Sequence, residues 1–364
     1  MLDIKLKLSP GHSSPRDWMS PSPLRTIAWN VTYACNYCCD VCFTDAGEGR
    51  EEELNTQEAL DAVESIAEAG VNDVLISGGE PFMREDLVQI LSHMAQLGIG
   101  ARIASNGSLF TEPILAQLKK DTLTKSFQIS LDTLDPSLYA KFHRCSEGML
   151  DKALSALDLI QSFGFHTTIS VRPTVETMPG IPALLDLASR KGWATVTLHI
   201  PVYTGRVEGL SPQEEDSITR LEPVLTYFAS LAEPWLVETY IPWAEYHPVF
   251  KALSQKVEVV HRGCRAGRDR LTIHPTGELS PCICMDLEET YLGNVRKDKL
   301  LDVFERHPKC QLMRAPWEFG VCRDCENVFH CGAGCRATAL AFTGRFAGTD
   351  PQCPIRQAKT RRKA

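Results

Sequence analysis

The sequence predicts an α/β fold built on a parallel sheet, followed by a small cysteine-rich region of a different kind. Three observations predict it. From Thr26 to about Ile200, strand-like and helix-like patterns alternate in six units of similar length. Each glycine-rich or polar motif in that stretch follows a strand instead of preceding one, the placement used by barrels and parallel sheets. Beyond residue 260 the alternation stops and cysteines recur at short spacings.

The first strand is the apolar stretch Thr26 to Val31, and a cysteine-bearing loop follows it. Thr56 to Ala69 reads as a helix, with Leu60, Val63, Ile66 and Ala67 on one face and Gly70 as its stop. Val74-Leu75-Ile76 is the second strand, running into Ser77-Gly78-Gly79-Glu80-Pro81. The next helix carries Leu87, Ile90, Leu91 and Met94 on one side and ends at Gly98. Strand Ala101–Ala104 leads into Ser105-Asn106-Gly107, and Pro113–Lys120 makes a helix. Strand Phe127–Leu131 ends at Asp132, helix Met149–Phe163 stops at Gly164, and strand Thr167–Val171 ends in Arg172-Pro173. Helix Ile181–Arg190 and strand Thr195–His199 complete the series. Periodicity alone does not choose between an open sheet and a partly closed barrel. Residues 207–262 read as a bridge with helical stretches at Glu214–Tyr227 and Pro248–Val257 and an aromatic-rich run from Trp235 to Phe250. Packing accounts for that run, with a substrate-facing wall as the second reading.

At 364 residues the chain has room for two domains, and its 43% hydrophobic and 23% charged residues are ordinary for a globular protein. No apolar stretch is long enough to cross a bilayer. The first 25 residues, with Pro10, Pro15, Pro21 and Pro23, lack the apolar core of a signal peptide. A reducing, cytoplasmic setting is expected, and there fourteen cysteines argue for metal over disulfides. A net charge of −8 gives no support to a nucleic-acid partner. The basic cluster Lys359, Arg361, Arg362 and Lys363 reads as a frayed tail.

Cys35, Cys39 and Cys42 stand at C-x3-C-x2-C spacing. Three thiolates on one loop suit three corners of a 4Fe–4S cube and leave one iron open to a substrate or cofactor. A zinc loop or a run of buried thiols is the competing reading, but structural zinc closes with four ligands at two-loop spacings. This triplet resembles that of the radical S-adenosylmethionine (SAM) enzymes. The resemblance implies a partial (β/α)6 TIM-like barrel, SAM chelated at the open iron, and reductive cleavage of SAM to a 5′-deoxyadenosyl radical.

Gly78-Gly79-Glu80-Pro81, one strand–helix unit later, resembles the family's GGEP motif, whose residues receive the amino group of SAM. Ser130 and Asp132 match positions that meet the ribose hydroxyls, and Asn106 resembles another ribose-side position. Arg144 matches an arginine that pairs with the SAM carboxylate, although Cys145 replaces the glycine usual after it. Phe43 occupies the aromatic position near adenine, with packing under the loop as its alternative. The segment Pro201 to Arg206, which includes Val202, resembles a sixth-strand stretch whose backbone passes adenine. Arg172 and His199 lie at strand ends, where either would hold a substrate carboxylate or make a structural hydrogen bond.

In the C-terminal region Cys264 is followed by Gly277 and Cys282, then by Cys322, Cys325, Cys331, Cys335 and Cys353. The stretch from Leu271 to Glu278 reads as a hairpin presenting Cys282. A zinc ribbon would use the C-x2-C pair but not the remaining spacing. The set resembles the seven-cysteine SPASM domain, a small α+β unit, which implies two auxiliary 4Fe–4S clusters. By that resemblance Cys264, Cys282 and Cys335 hold the first, and Cys322, Cys325, Cys331 and Cys353 the second. The first then lacks a ligand: Cys284 supplies it, or the iron stays open for substrate. Of the unassigned Cys38, Cys145, Cys284 and Cys310, Cys145 is a candidate to return a hydrogen atom to a substrate radical. The domain limits expected are 1–24 for an N-terminal extension, 25–206 for the barrel, 207–262 for the bridge, 263–355 for SPASM and 356–364 for the tail.

The expected function is SPASM-type radical modification of a ribosomally synthesised peptide, by cross-linking or oxidation. A ferredoxin- or flavodoxin-type reductant and a separate leader-peptide-binding protein are the expected partners, since only about 25 residues precede the barrel. A small-molecule enzyme is the alternative, such as a tetrapyrrole side-chain decarboxylase or a sugar dehydrogenase or epimerase. Sulfatase maturation has less support, and an iron–sulfur electron carrier would have no need of the GGEP turn.

Overall fold

The computed structural model describes residues 5–6, 23–193, 195–199, 202, 204–207, 236–239, 258–261, 264–320, 322–353 and 355. The expected helices Glu214–Tyr227 and Pro248–Val257, most of the aromatic-rich run, Pro201 and the basic tail lie outside these residues.

All six expected strands are present, with five crossover helices between them. The strands are β2 (Thr26–Asn30), β3 (Asp73–Ser77), β4 (Gly100–Ser105), β5 (Thr124–Ser130), β6 (His166–Val171) and β7 (Thr195–Leu198). They pair in parallel in chain order, with Trp29 opposite Ile76 and Ile103 opposite Phe127. The crossover helices are α1 (Thr56–Glu68), α2 (Leu87–Gln96), α3 (Glu112–Asp121), α5 (Met149–Ser162) and α6 (Ile181–Lys191). Each buries one apolar stripe: Ala59, Ala62, Val63 and Ile66 on α1, and Leu87, Ile90, Leu91 and Met94 on α2. A reciprocal cap starts α1, where Asn55 Oδ1 accepts from the Glu58 amide and Glu58 accepts from the Asn55 amide.

Four features go beyond the sequence reading. A short helix, α4 (Pro136–His143), precedes α5 and is capped by Asp135, which accepts from the Leu138 amide at 2.8 Å. At the N-terminus, β1 (Lys5–Leu6) pairs in parallel with β7. The described pieces of the bridge are strands, β8 (Leu236–Thr239) and β9 (Glu258–His261), paired with each other. Finally, the expected hairpin, β10 (Arg270–Ile273) and β11 (Glu278–Ser280), does not stand apart from the barrel. Strand β10 lies in parallel beside β2, with Ile273 opposite Trp29, and β12 (Gly293–Asn294) follows β11.

The sheet therefore runs β1-β7-β6-β5-β4-β3-β2-β10-β11-β12. One apolar core continues across the junction, from Trp29, Ile76 and Phe127 to Leu271, Ile273, Leu279 and Phe304. Burying that many large side chains, at roughly 1.5–3 kcal/mol each, ties the cysteine-bearing hairpin to the barrel. The rest of the C-terminal region has a smaller core of Ala266, Met313, Phe319 and Ala333, against which Cys264, Cys282 and Cys322 pack. Helices α7 (Leu300–Arg306), α8 (Pro308–Arg314), α9 (Val328–Cys331) and α10 (Arg336–Thr343) surround it.

Candidate active site

The loop after β2 is held from four sides before any cofactor enters. The first is the Gly78–Glu80 turn. Its Gly79 amide donates to Thr32 O and its Glu80 amide to Ala34 O, each at 2.8 Å. A Cβ on Gly79 would lie 2.2 Å from Ala34 O, and one on Gly78 would lie 2.5 Å from Thr32 O. The glycines are thus required by the approach of one backbone to another, just upstream of Cys35.

The second is Arg206. Its Nε donates to Cys39 O at 2.8 Å and its Nη1 to Ala46 O at 2.7 Å and Asp45 Oδ1 at 3.0 Å, while its amide donates to Cys42 O. The third is the end of α4, where His143 O and Phe142 O accept from the amides of Cys38 and Asp40. The fourth is Asn36, which donates to Ser108 Oγ and accepts from Asn106 Nδ2, both at 2.8 Å.

This scaffold brings Cys35, Cys39 and Cys42 together. Burial pushes the Cys35 thiol up to about 11, with Glu80 and Cys42 adding to the rise. Burial pushes Cys39 up to about 12; the Arg172 charge opposes the rise, and its two companion thiols add to it. The Cys35 and Cys42 sulfurs each receive a backbone amide at 3.4 Å, from Tyr37 and Ala46. Among the described residues no three His, Cys, Asp or Glu side chains converge closely enough for one metal ion.

The expected SAM contacts are distributed unevenly. Glu80 is fully buried and both of its oxygens are engaged: Oε1 accepts from Phe82 N and Ser105 Oγ, and Oε2 from Ser105 Oγ and Asn106 N. Burial raises its carboxyl to about 7, and those hydrogen bonds hold it from rising further. This side chain, expected to meet an ammonium, ties the ends of β3 and β4 together. Asp132, expected at a ribose, is also buried; it accepts from the Arg172 amide and faces His143. Asn106 is buried and bonded to Asn36 and Ser108. Arg144 is 59% exposed and pairs with Asp40. It sits at φ 43°, turning the chain out of α4 in place of a glycine. Phe43, Ser130 and Val202 are half-buried, and Gly205 packs against the Phe43 backbone.

Inside the sheet, Arg172 donates to Val41 O at 3.3 Å, and His199 Nε2 lies 3.2 Å from the Gln128 amide nitrogen. Burial lowers His199 to about 4, and the Arg172 charge adds to this. The neutral His199 Nε2 accepts from Gln128. Cys145 packs at the edge of the core beside Tyr37 and Tyr139, and burial raises its thiol.

In the C-terminal region the thiols form two groups. The thiol of Cys282 contacts that of Cys284, and Cys264 and Cys335 lie near enough to repel them or each other. Cys331 neighbours Cys353 and Cys322, and the Cys325 amide donates to Cys322 O. Between the groups Asp350 is buried, accepting from the Cys335 amide at 2.8 Å. Cys310 is buried in the core and Cys38 is exposed; none of the fourteen cysteines is in a disulfide. The two regions are braced by Asp286, which accepts from Tyr33 and Tyr291 hydroxyls at 2.8 Å each. His274 stands between Asp286 and Ser280, but Ser280 is buried and donates to Cys282 O, so this trio is a strut.

His143, Arg206, Asn36, Asp286 and Asp350 are the site residues that motif reading missed. Only Arg206 had a sequence signal, its place in the Pro201–Arg206 segment.

Comparison with known proteins agrees with this geometry. The Radical SAM superfamily matches residues 29–188, and the iron–sulfur cluster-binding SPASM domain matches residues 264–326. The AdoMet-dependent heme synthase of Oleidesulfovibrio alaskensis is 26% identical over 95% of this chain and 91% of its own length. The mycofactocin maturase MftC of Mycobacterium ulcerans is 28% identical over 90% of this chain and 87% of its own. In fold, the chain is similar to anSMEcpe with bound AdoMet, with a TM-score of 0.67 at 15% identity over 93% of this chain and 95% of that one. It is likewise similar to Streptococcus suis SuiB bound to its precursor peptide SuiA, with a TM-score of 0.66 at 19% identity over 93% and 78%. The chain belongs to the radical SAM superfamily, as a radical SAM enzyme with a C-terminal SPASM domain.

Proposed function

We propose that this enzyme modifies a ribosomally made peptide at an unactivated carbon. In this reading Cys35, Cys39 and Cys42 hold a 4Fe–4S cluster, and SAM lies among Phe43, Gly78, Gly79, Glu80, Asn106, Ser130, Asp132, Arg144 and Val202. Bound there, cluster and SAM supply the 5′-deoxyadenosyl radical that takes the hydrogen atom. Cys264, Cys282 and Cys335 hold the first auxiliary cluster, and the contact between Cys284 and Cys282 supports Cys284 as its fourth ligand. Cys322, Cys325, Cys331 and Cys353 hold the second. A ferredoxin- or flavodoxin-type reductant in a cytoplasmic setting suits fourteen free thiols, and a separate leader-binding protein would present the peptide.

The observation that carries the reading is Arg172. Its charge acts on Cys39 of the barrel loop and on Cys284 of the C-terminal group, so one cation lies within electrostatic reach of both thiol sets. A carboxylate-bearing substrate held there lies between a radical source and an electron acceptor. Relatives named mycofactocin maturase and PqqA peptide cyclase support a peptide. The relatives named heme synthase favour a second reading, a tetrapyrrole whose carboxylate side chains would meet the same arginine. The test is anaerobic incubation with SAM, dithionite and either a peptide encoded beside the gene or a carboxylate-bearing tetrapyrrole. A mass change in the peptide with matching 5′-deoxyadenosine supports the first reading, and one in the tetrapyrrole replaces it. Absence of 5′-deoxyadenosine under all conditions sinks both.

A further inference from the structure

One buried side chain behind the cysteine loop, that of His143, has no role in the assignments above. His143 ends α4 at 2% exposure, and its Nδ1 lies 3.2 Å from the Cys39 sulfur. Its Nε2 lies 3.2 Å from Asp132 Oδ2, at ion-pair range but off the hydrogen-bonding axis, and Asp132 is 1% exposed. Rings pack around the imidazole, with centroids at 4.2 Å for Tyr139, 5.2 Å for Phe142 and 5.8 Å for Tyr37. Asp132 is itself fixed by the Arg172 amide. The imidazole is thus held in plane and aimed at one of three otherwise similar thiols.

We propose that His143 is a positioning residue for the cluster, donating an Nδ1–H hydrogen bond to the Cys39 sulfur while the packed rings of Tyr139, Phe142 and Tyr37 hold the imidazole in place. The direction of donation follows from the acceptor. A sulfur bonded to iron has no proton to give, so the nitrogen facing it carries the hydrogen. Donation to a ligand sulfur draws negative charge off it, and hydrogen bonds to the sulfurs are among the determinants of a cluster's potential. It favours the reduced, more negative cluster, so His143 makes the Cys39 corner easier to reduce. The Cys35 and Cys42 sulfurs receive backbone amides, and the Cys42 sulfur also lies 3.3 Å from the Thr44 hydroxyl. Cys39 is the corner met by an imidazole.

This inference rests on Cys39 being a cluster ligand, and the experiment separates the two. Anaerobically reconstituted full-length protein, labelled with 15N in histidine only, is reduced with dithionite. Pulsed EPR is then recorded on the signal that shifts when SAM is added. A histidine 15N coupling on that signal is expected, lost in His143→Phe, which keeps a ring in the aromatic pocket. The same variant is expected to be reduced about tenfold less favourably, a shift of about 59 mV to lower potential for one electron. His143→Asn, which places an amide N–H near the Nδ1 position, is expected to recover most of that shift. If His143→Phe fails to take up iron, the labelled unmutated protein decides alone. No histidine coupling in it, with the signal abolished in Cys39→Ala, overturns the proposal and leaves the ligand assignment standing. Full iron and an unchanged signal in Cys39→Ala overturn the assignment beneath it.

Discussion

Replacing Gly79 with alanine adds one methyl at the point where the Gly78–Glu80 turn meets the loop leading to Cys35. That methyl would lie 2.2 Å from Ala34 O, 2.7 Å from Ala34 C and 2.8 Å from Tyr33 O. All three are backbone atoms, so no side chain can swing away. Reaching ordinary contact beyond 3.4 Å moves one segment by about 1 Å. The movement strains or breaks the Glu80 N–H bond to Ala34 O and the Gly79 N–H bond to Thr32 O. Overpacking costs about 1–3 kcal/mol and each lost hydrogen bond about 1 kcal/mol, for a total of roughly 2–5 kcal/mol. Since Gly79 does not have a left-handed backbone, the cost is steric alone. Gly47 lies in the same loop with nothing within 4 Å of its added methyl, and Gly47→Ala is the matched control. Chemical denaturation under anaerobic conditions, with iron content and 5′-deoxyadenosine yield measured in parallel, gives the answer. Gly79→Ala is expected to lower the midpoint clearly and to lose cluster and product together, since a loop misplaced by about 1 Å costs on the order of a hundredfold in rate. A variant as stable and as active as Gly47→Ala would refute the claim that backbone proximity, not ligand approach, requires this glycine.

Arg206→Ala removes charged hydrogen bonds to Cys39 O and Ala46 O, each of a kind that contributes about 1.5–3 kcal/mol. It is expected to lose iron to a chelator several-fold faster than the unmutated protein, and equal loss rates would contradict the clamp. Cys284→Ser is expected to change the EPR signal of one auxiliary cluster, whereas Cys310→Ser, inside the apolar core, leaves every signal intact and lowers stability. His199 is lowered from 6.5 to about 4, so the folded protein binds fewer protons than the unfolded chain between those values. Stability from this group is present above about pH 6.5 and is lost as pH falls toward 4, by up to roughly 3 kcal/mol. In cluster-free protein, the stability difference between the unmutated chain and His199→Gln should therefore shrink as pH falls over that window; a pH-independent difference would count against it.

The strand–helix series, the cysteine loop and the C-terminal thiols were readable because each is a local pattern. Apolar spacing reports a buried stripe, and C-x3-C-x2-C reports what one loop can ligate. Helix α4 escaped notice because Pro136–His143 is two turns of mixed aromatic and polar residues with no stripe, although Asp135-Pro136 is a start signal. Glu80 stands out in the sequence as part of the Gly78–Pro81 motif, yet its partners, Ser105 and Asn106, lie a strand–helix unit away and no spacing announces them.

By itself the sequence determined the unit count, the family and which thiols are available, since these depend on residue type and near neighbours. Tertiary structure alone decided that the cysteine hairpin extends the barrel sheet at β2, that Arg206 and α4 hold the Cys35–Cys42 loop, and that His143 meets Cys39. Those contacts join residues 104 to more than 200 positions apart. They exist only because parallel strands bring their carboxyl ends to one rim, where loops from distant parts of the chain have to share the same space.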